Sequence, residues 1–232
     1  MKQVLISGTS SGLGMHIARN LSIDHSVVGF SRRDCQDSEL LANKNFKHIS
    51  NIDIQKDKDK ILPFLKQTDV LINNIGIAQN SLLVATQEDE INQIISVNLS
   101  AAIFLTREFI RERLLARKSG VVLNISSIIA SNGYAGLSVY SATKAGIEGF
   151  TRSLAREMGG KGFRFNCISP GYFESDLSSS LDEGQKRQII RRTPLGRLAN
   201  YDDLVPSVRF LVGEESRFIT GQNITIDGGI TV

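Results

Sequence analysis

Short β-branched and apolar runs alternate along this chain with longer stretches in which apolar residues recur every three or four positions. The runs at 3–7, 26–30, 46–50, 70–73, 121–126, 163–169 and 223–227 read as strands. Most are continuously apolar, as in Val4-Leu5-Ile6 and Val70-Leu71-Ile72, the pattern of strands buried on both faces. Helical period covers 13–21, 58–67, 88–118, 138–158 and 201–211, whereas 33–45 is too short and polar to promise a helix. Strands alternating with helices imply right-handed crossovers and an α/β fold. The expected sheet is parallel and doubly wound, seven-stranded, with helices on both faces. Ligands of such sheets sit beyond the carboxyl ends of the strands, so the segment after each strand holds the candidate chemistry.

Composition narrows the classes. At about 150 residues per domain, 232 residues allow one or two domains, and the absence of repeats or linkers favours a single domain over 1–232. With 41% hydrophobic and 22% charged residues, collagen-like, coiled-coil and disordered chains are excluded. The net charge of +3 comes from 27 basic and 24 acidic residues, and the basic spots near 111–118 and 187–192 have acids beside them. No nucleic-acid face is expected from that balance. Cys35 and Cys167 are too few for a disulfide framework or a metal site, so no metal is expected and a reducing cytoplasm is the simplest setting. No membrane segment is expected either, since no uninterrupted apolar run approaches 18 residues and the start is too short for a signal peptide.

The first strand runs into Ser7-Gly8-Thr9-Ser10-Ser11-Gly12-Leu13-Gly14, where a helix begins. Gly8 suits a tight turn, Gly12 a close approach of backbone to phosphate, and Gly14 the packing of helix on strand. The helix N-terminus then offers unpaired N–H groups to a pyrophosphate. The spacing departs from Gly-x-Gly-x-x-Gly, and a turn that merely needs glycine remains open. The second strand ends Phe30-Ser31-Arg32-Arg33. An acidic residue there would hold a ribose 2′-hydroxyl, whereas Arg accommodates a 2′-phosphate, so Ser31 and Arg32 favour NADP (NADPH), with NAD possible.

The sharpest signal is Tyr140-Ser141-Ala142-Thr143-Lys144 at the start of a helix. Four residues apart, phenol and ammonium share one helix face. A cation beside the phenol is expected to lower its pKa from about 10, making Tyr140 a usable general acid. Thirteen residues upstream, Ser127 follows the fifth strand, placed to hydrogen-bond a substrate carbonyl. Asn98 interrupts an apolar helical pattern, where its low propensity calls for a polar task.

Taken in order, Gly8-x-x-x-Gly12-x-Gly14, Asp53, Asn73-Asn74-Ile75-Gly76, Asn98, Ser127, Tyr140-x-x-x-Lys144, Pro170-Gly171 and Asp227-Gly228-Gly229 resemble the short-chain dehydrogenase/reductase family along the whole chain. The resemblance implies a single Rossmann-like domain that transfers hydride between a nicotinamide cofactor and a carbonyl or alcohol. It makes Asn98, Ser127, Tyr140 and Lys144 the catalytic set, Lys144 also binding the nicotinamide ribose and Asn98 holding a water in a proton relay. It further implies cofactor contacts at Thr9, Ser10, Ser11 and Leu13, at Asp53 and Ile54, at Asn74 and Gly76, and at Pro170, Gly171, Phe173 and Ser175. Two departures stand out. Ile75 replaces the family's usual Ala, and Ser11 stands where many NADP-preferring members carry a basic residue.

Within the family, the last third looks most like 3-oxoacyl-[acyl-carrier-protein] reductases. That likeness implies an acidic acyl carrier protein as partner, with Lys118 and Lys161 as docking residues near the mouth of the site. A sugar, polyol or other small alcohol or ketone remains an open substrate, and a non-catalytic cofactor-binding protein a third reading. Residues 172–193 are expected to form the substrate lid. The family's habit, and apolar residues on several faces of 88–118, imply a homotetramer or homodimer.

Overall fold

The computed structural model describes residues 1–173 and 182–232. β1 (Gln3–Ser7) leads through α1 (Gly12–Leu21), β2 (Ser26–Phe30), α2 (Ser38–Ala42), β3 (Phe46–Ile49) and α3 (Lys58–Leu65) to β4 (Val70–Asn73). α4 (Glu88–Ile95) continues through a π-helical turn (Ser96–Ser100) into α5 (Ala101–Leu115), and β5 (Val121–Ile125) follows. Next come α6 (Ile129–Asn132), α7 (Ser138–Met158), β6 (Arg164–Pro170), α8 (Glu183–Arg192), α9 (Tyr201–Val212) and β7 (Asn223–Ile226).

All seven strands are parallel, in the order β3-β2-β1-β4-β5-β6-β7. The chain winds outward from β1 to β3, then returns to place β4 on the other side of β1. Strand order therefore reverses between β1 and β4, and a crevice opens beyond their carboxyl ends. Alternate side chains feed two cores. Val4 and Ile6 pack with Ile17, Leu21, Leu204 and Leu211 on one face, and Leu5 packs with Ile61, Leu65, Leu105 and Phe109 on the other. Burial on both sides explains why these strands read as unbroken apolar runs.

Two segments differ from the expectation in instructive ways, and a third, the expected lid, lies partly outside the described residues. The polar stretch 33–45 does hold a helix, α2, of only five residues. Asp37 accepts the Leu40 N–H at 2.9 Å and the Arg19 guanidinium at 2.8 Å from Nε, so a cap and an ion pair do what periodicity could not. The helical pattern over 88–118 is broken at Asn98 by the π turn and stops at Leu115. By length and composition, residues 88–115 would suffice to cross a membrane, with a mean hydropathy of 1.2 over their most apolar window. They lie on the sheet instead, burying Ile94, Ala101, Ala102, Leu105 and Phe109. Part of the expected lid, from Asp182, is α8, whose first turn is closed by a reciprocal Asp182–Gln185 capping box.

Candidate active site

A cleft of about 390 Å³ opens at the carboxyl ends of β1, β2, β4, β5 and β6. Gly8, Ser10, Ser11, Gly12 and Leu13 line one side of it, and Tyr140, Lys144 and Ser127 another. The glycine loop is built by close approach. Gly8 has φ of +79°, and a side chain at Gly14 would overlap the Gly8 carbonyl oxygen, so α1 reaches β1 only because position 14 lacks a Cβ. Asn74 clamps the same turn, its Nδ2 donating to the carbonyls of Ser7 and Gly8 at 3.1 Å. Ser11 is the N-cap of α1, yet its side chain caps nothing. Among the described residues no side chain caps the first-turn N–H groups, which fits a dinucleotide's pyrophosphate.

Ser31, Arg32 and Arg33 line the cleft beyond β2, facing Asp53 and Gln55. Both arginines are exposed, and Arg33 Nη2 donates to Ser11 Oγ at 3.4 Å. Ser31 itself is turned inward, donating to the Arg33 carbonyl at 2.7 Å and lying 3.1 Å from His48 Nε2.

At the opposite end, Lys144 is buried and its Nζ donates to the Ile125 carbonyl at 2.7 Å. That ammonium stands 5.6 Å from the centre of the Tyr140 ring. Burial pulls the Lys144 pKa down to about 8. Burial also raises the Tyr140 pKa, and a hydrogen bond from Ser127 opposes the rise without cancelling it. The expectation that Lys144 lowers the Tyr140 pKa is thus corrected, because the ammonium is directed at a main-chain carbonyl and desolvation of the phenol prevails. Asn98 sits in the π turn, 2% exposed. Its amide accepts from Ile77 N at 2.8 Å and donates to Ile77 O at 2.8 Å and to Thr143 Oγ1 at 3.2 Å. Both amide hydrogens are thereby spent, so a water held by the side chain would have to donate to Oδ1. A π turn at such a residue is a common mark of function.

Most of the residues singled out in the sequence border this cleft, including Ile54, Gly76, Pro170, Gly171 and Phe173. Thr9, Gly14 and Asn98 do not, Asn98 lying behind the lining with its side chain on Ile77. Thr9 is fully buried and its Oγ1 lies 2.9 Å from His48 Nδ1, so it supports the loop from behind. Ser175 lies outside the described residues. Lys118 and Lys161 are exposed and neighbouring, since a Cβ on Gly162 would lie 3.2 Å from Ser119 Cβ. Their placement near the mouth is corrected: they precede β5 and β6, at the end of the sheet opposite the cleft. Arg33, Ile77, Gln93 and Val97 border the cleft without having been singled out. For Gln93 and Val97 a signal existed: they stand four residues apart and so share one helix face, Val97 directly before Asn98.

The family model described as enoyl-(acyl carrier protein) reductase matches residues 8–231. A 3-oxoacyl-[acyl-carrier-protein] reductase of Chlamydia pneumoniae is 33% identical over 99% of this chain and 97% of its own length. Among solved structures, a short-chain dehydrogenase of Leptospira borgpetersenii with bound NAD+ superposes with a TM-score of 0.91, at 33% identity, over 100% of this chain and 93% of its own. A putative 2-deoxy-D-gluconate 3-dehydrogenase of Agrobacterium tumefaciens with bound NADP gives 0.89 at 30% identity, over 99% and 96%. With the glycine loop, the buried lysine and the tyrosine gathered in one cleft, the chain belongs to the short-chain dehydrogenase/reductase family of nicotinamide-dependent oxidoreductases.

Proposed function

We propose that this enzyme uses NADPH to reduce 3-oxoacyl thioesters borne on an acyl carrier protein. The observation that carries the chemistry is the convergence of Ser127, Tyr140 and Lys144 on the cleft that the glycine loop opens. Ser10, Ser11, Gly12 and the first turn of α1 hold the pyrophosphate, and Lys144 and Asn74 the riboses. The nicotinamide, when bound, supplies the hydride. Ser127 donates a hydrogen bond to the substrate carbonyl oxygen, and Tyr140 delivers the proton that the new alcohol keeps. Burial keeps Tyr140 protonated at neutral pH, the form this direction requires.

The choice of NADPH rests on Arg32 and Arg33, two cations at the ribose end of the cleft. Arg33 reaches over Ser11 and so brings a guanidinium to the place where the loop itself has no basic residue. The acyl substrate is supported by the relatives' names and by exposed apolar groups beside the cleft. Tyr134 meets Tyr172 edge-on at 6.5 Å, Tyr172 adjoins Phe173 of the cleft, and Gly136 packs on Ser81, next to the exposed Leu82, Leu83 and Val84. A sugar or polyol is the second reading, supported by the likeness to the gluconate dehydrogenase.

The deciding experiment is an activity panel with NADPH and NADH against acetoacetyl thioesters, sugars and polyols. Fast NADPH oxidation with the thioesters is expected. Turnover confined to sugars would establish the second reading, and cofactor binding without any turnover would sink both.

A further inference from the structure

The catalytic helix begins without a cap of its own. Leu137 occupies the N-cap of α7 and has no side-chain oxygen to offer. The main-chain N–H of Tyr140 is therefore one of the first-turn donors that a helix leaves unpaired. It is satisfied from a distant segment: Gln79 Oε1 accepts it at 3.0 Å. Gln79 is 1% exposed, and its Nε2 donates to Ser138 Oγ, in the same turn, at 3.4 Å. A buried glutamine from the loop after β4 does what Ser or Asp ordinarily does at the N-cap.

The segment that carries Gln79 is itself held at two further points of the site. Asn98 grips both main-chain groups of Ile77 at 2.8 Å. At Gly76, an added Cβ would come within 3.4 Å of Lys144 Nζ and 3.8 Å of Asn98 Oδ1. Residues 76–79 thus form a strap that touches Lys144, Asn98 and Tyr140 in turn. We propose that Gln79 is a positioning residue for Tyr140, tying the backbone of the phenol to the strap that borders the cofactor cleft. Proton donor and cofactor site then keep one relative geometry. The proposal rests on the reading of Tyr140 as the proton donor.

Gln79→Leu removes the acceptor at similar size, and Gln79→Glu retains it. In carbonyl reduction at saturating NADPH, Gln79→Leu is expected to lower kcat roughly ten- to a hundredfold. Gln79→Glu should stay within about threefold of the parent enzyme, and NADPH affinity by fluorescence titration within about threefold in both variants. An unchanged kcat in Gln79→Leu, a matching loss of NADPH affinity, or a Glu variant no better than Leu would each overturn the proposal. If Gln79→Leu does not melt cooperatively, Gln79→Asn replaces it under the same expectations, its amide being one methylene too short to reach. If the parent enzyme reduces no carbonyl, the proposed reaction fails separately. Hydrogen exchange in the first turn of α7 then decides: faster exchange in the Leu or Asn variant than in parent and Glu supports positioning, and equal rates refute it.

Discussion

At Lys144 the fold keeps an ammonium out of water with one main-chain carbonyl for company. Its pKa near 8, against an ordinary 10.5, means that the unfolded chain binds this proton more tightly than the folded one. The folded state is therefore penalised below pH 8, and the penalty, about 3 kcal/mol, is relieved as pH rises from 8 towards 10.5. Above pH 10 the raised Tyr140 works the other way, since it retains its proton longer when folded. Chemical denaturation between pH 7 and 10 should show that rise in the parent protein and lose it in Lys144→Met. The same ionisation should appear in catalysis: kcat/KM for carbonyl reduction is expected to fall as pH passes about 8 and Lys144 loses its charge. Tyr140→Phe should lower kcat by roughly 10²- to 10⁴-fold while NADPH still binds, read by steady-state kinetics beside fluorescence titration. The partnership of these two side chains was legible as a spacing of four on one helix. The aim of the ammonium was not, because the Ile125 carbonyl that attracts it comes from a neighbouring strand.

Elements were legible wherever burial is two-sided or periodicity is long, and illegible where a single tertiary contact decides. The π turn at Asn98 is one such case, for nothing in Ser96-Val97-Asn98-Leu99-Ser100 marks an extra residue in a turn. What holds it is the Asn98 amide on Ile77, from another part of the chain. α2 is another, formed around the Asp37–Arg19 pair. Burial alone would raise the Asp37 pKa, but hydrogen bonds from Leu40 N–H and Arg19 hold it below the usual carboxylate range. The packing of α1 on β1, by contrast, was announced by Gly14. Gly14→Ala should therefore damage more than local propensity, which it improves. A Cβ there meets the Gly8 carbonyl, so the helix must shift from the strand and the phosphate turn with it. A lower melting temperature together with weakened NADPH binding is expected, measured by calorimetry and fluorescence titration. A neutral result would show that α1 can slide.

For the whole molecule, one parallel sheet carries residues from 3 to 226 and gathers the chemistry at a single end. Among the described residues its outer strand β7 pairs only with β6, its residues alternate between exposed and half-buried, and Phe218 is fully exposed. An uncovered strand edge is a ready surface for a second copy. Sedimentation equilibrium is expected to find dimers or tetramers, and monomer alone at micromolar concentration would refute assembly. Single-chain residues made the sheet readable but not the distance between its ends. Lys118 and Lys161 are separated from the cleft by the length of β5, roughly 16 Å for five residues. A carrier protein held by those lysines would face away from the cleft of its own host and would have to feed that of a neighbour. Dilution below the assembly's dissociation constant should then slow turnover of carrier-borne substrates while small free thioesters, which need no dock, are reduced as before.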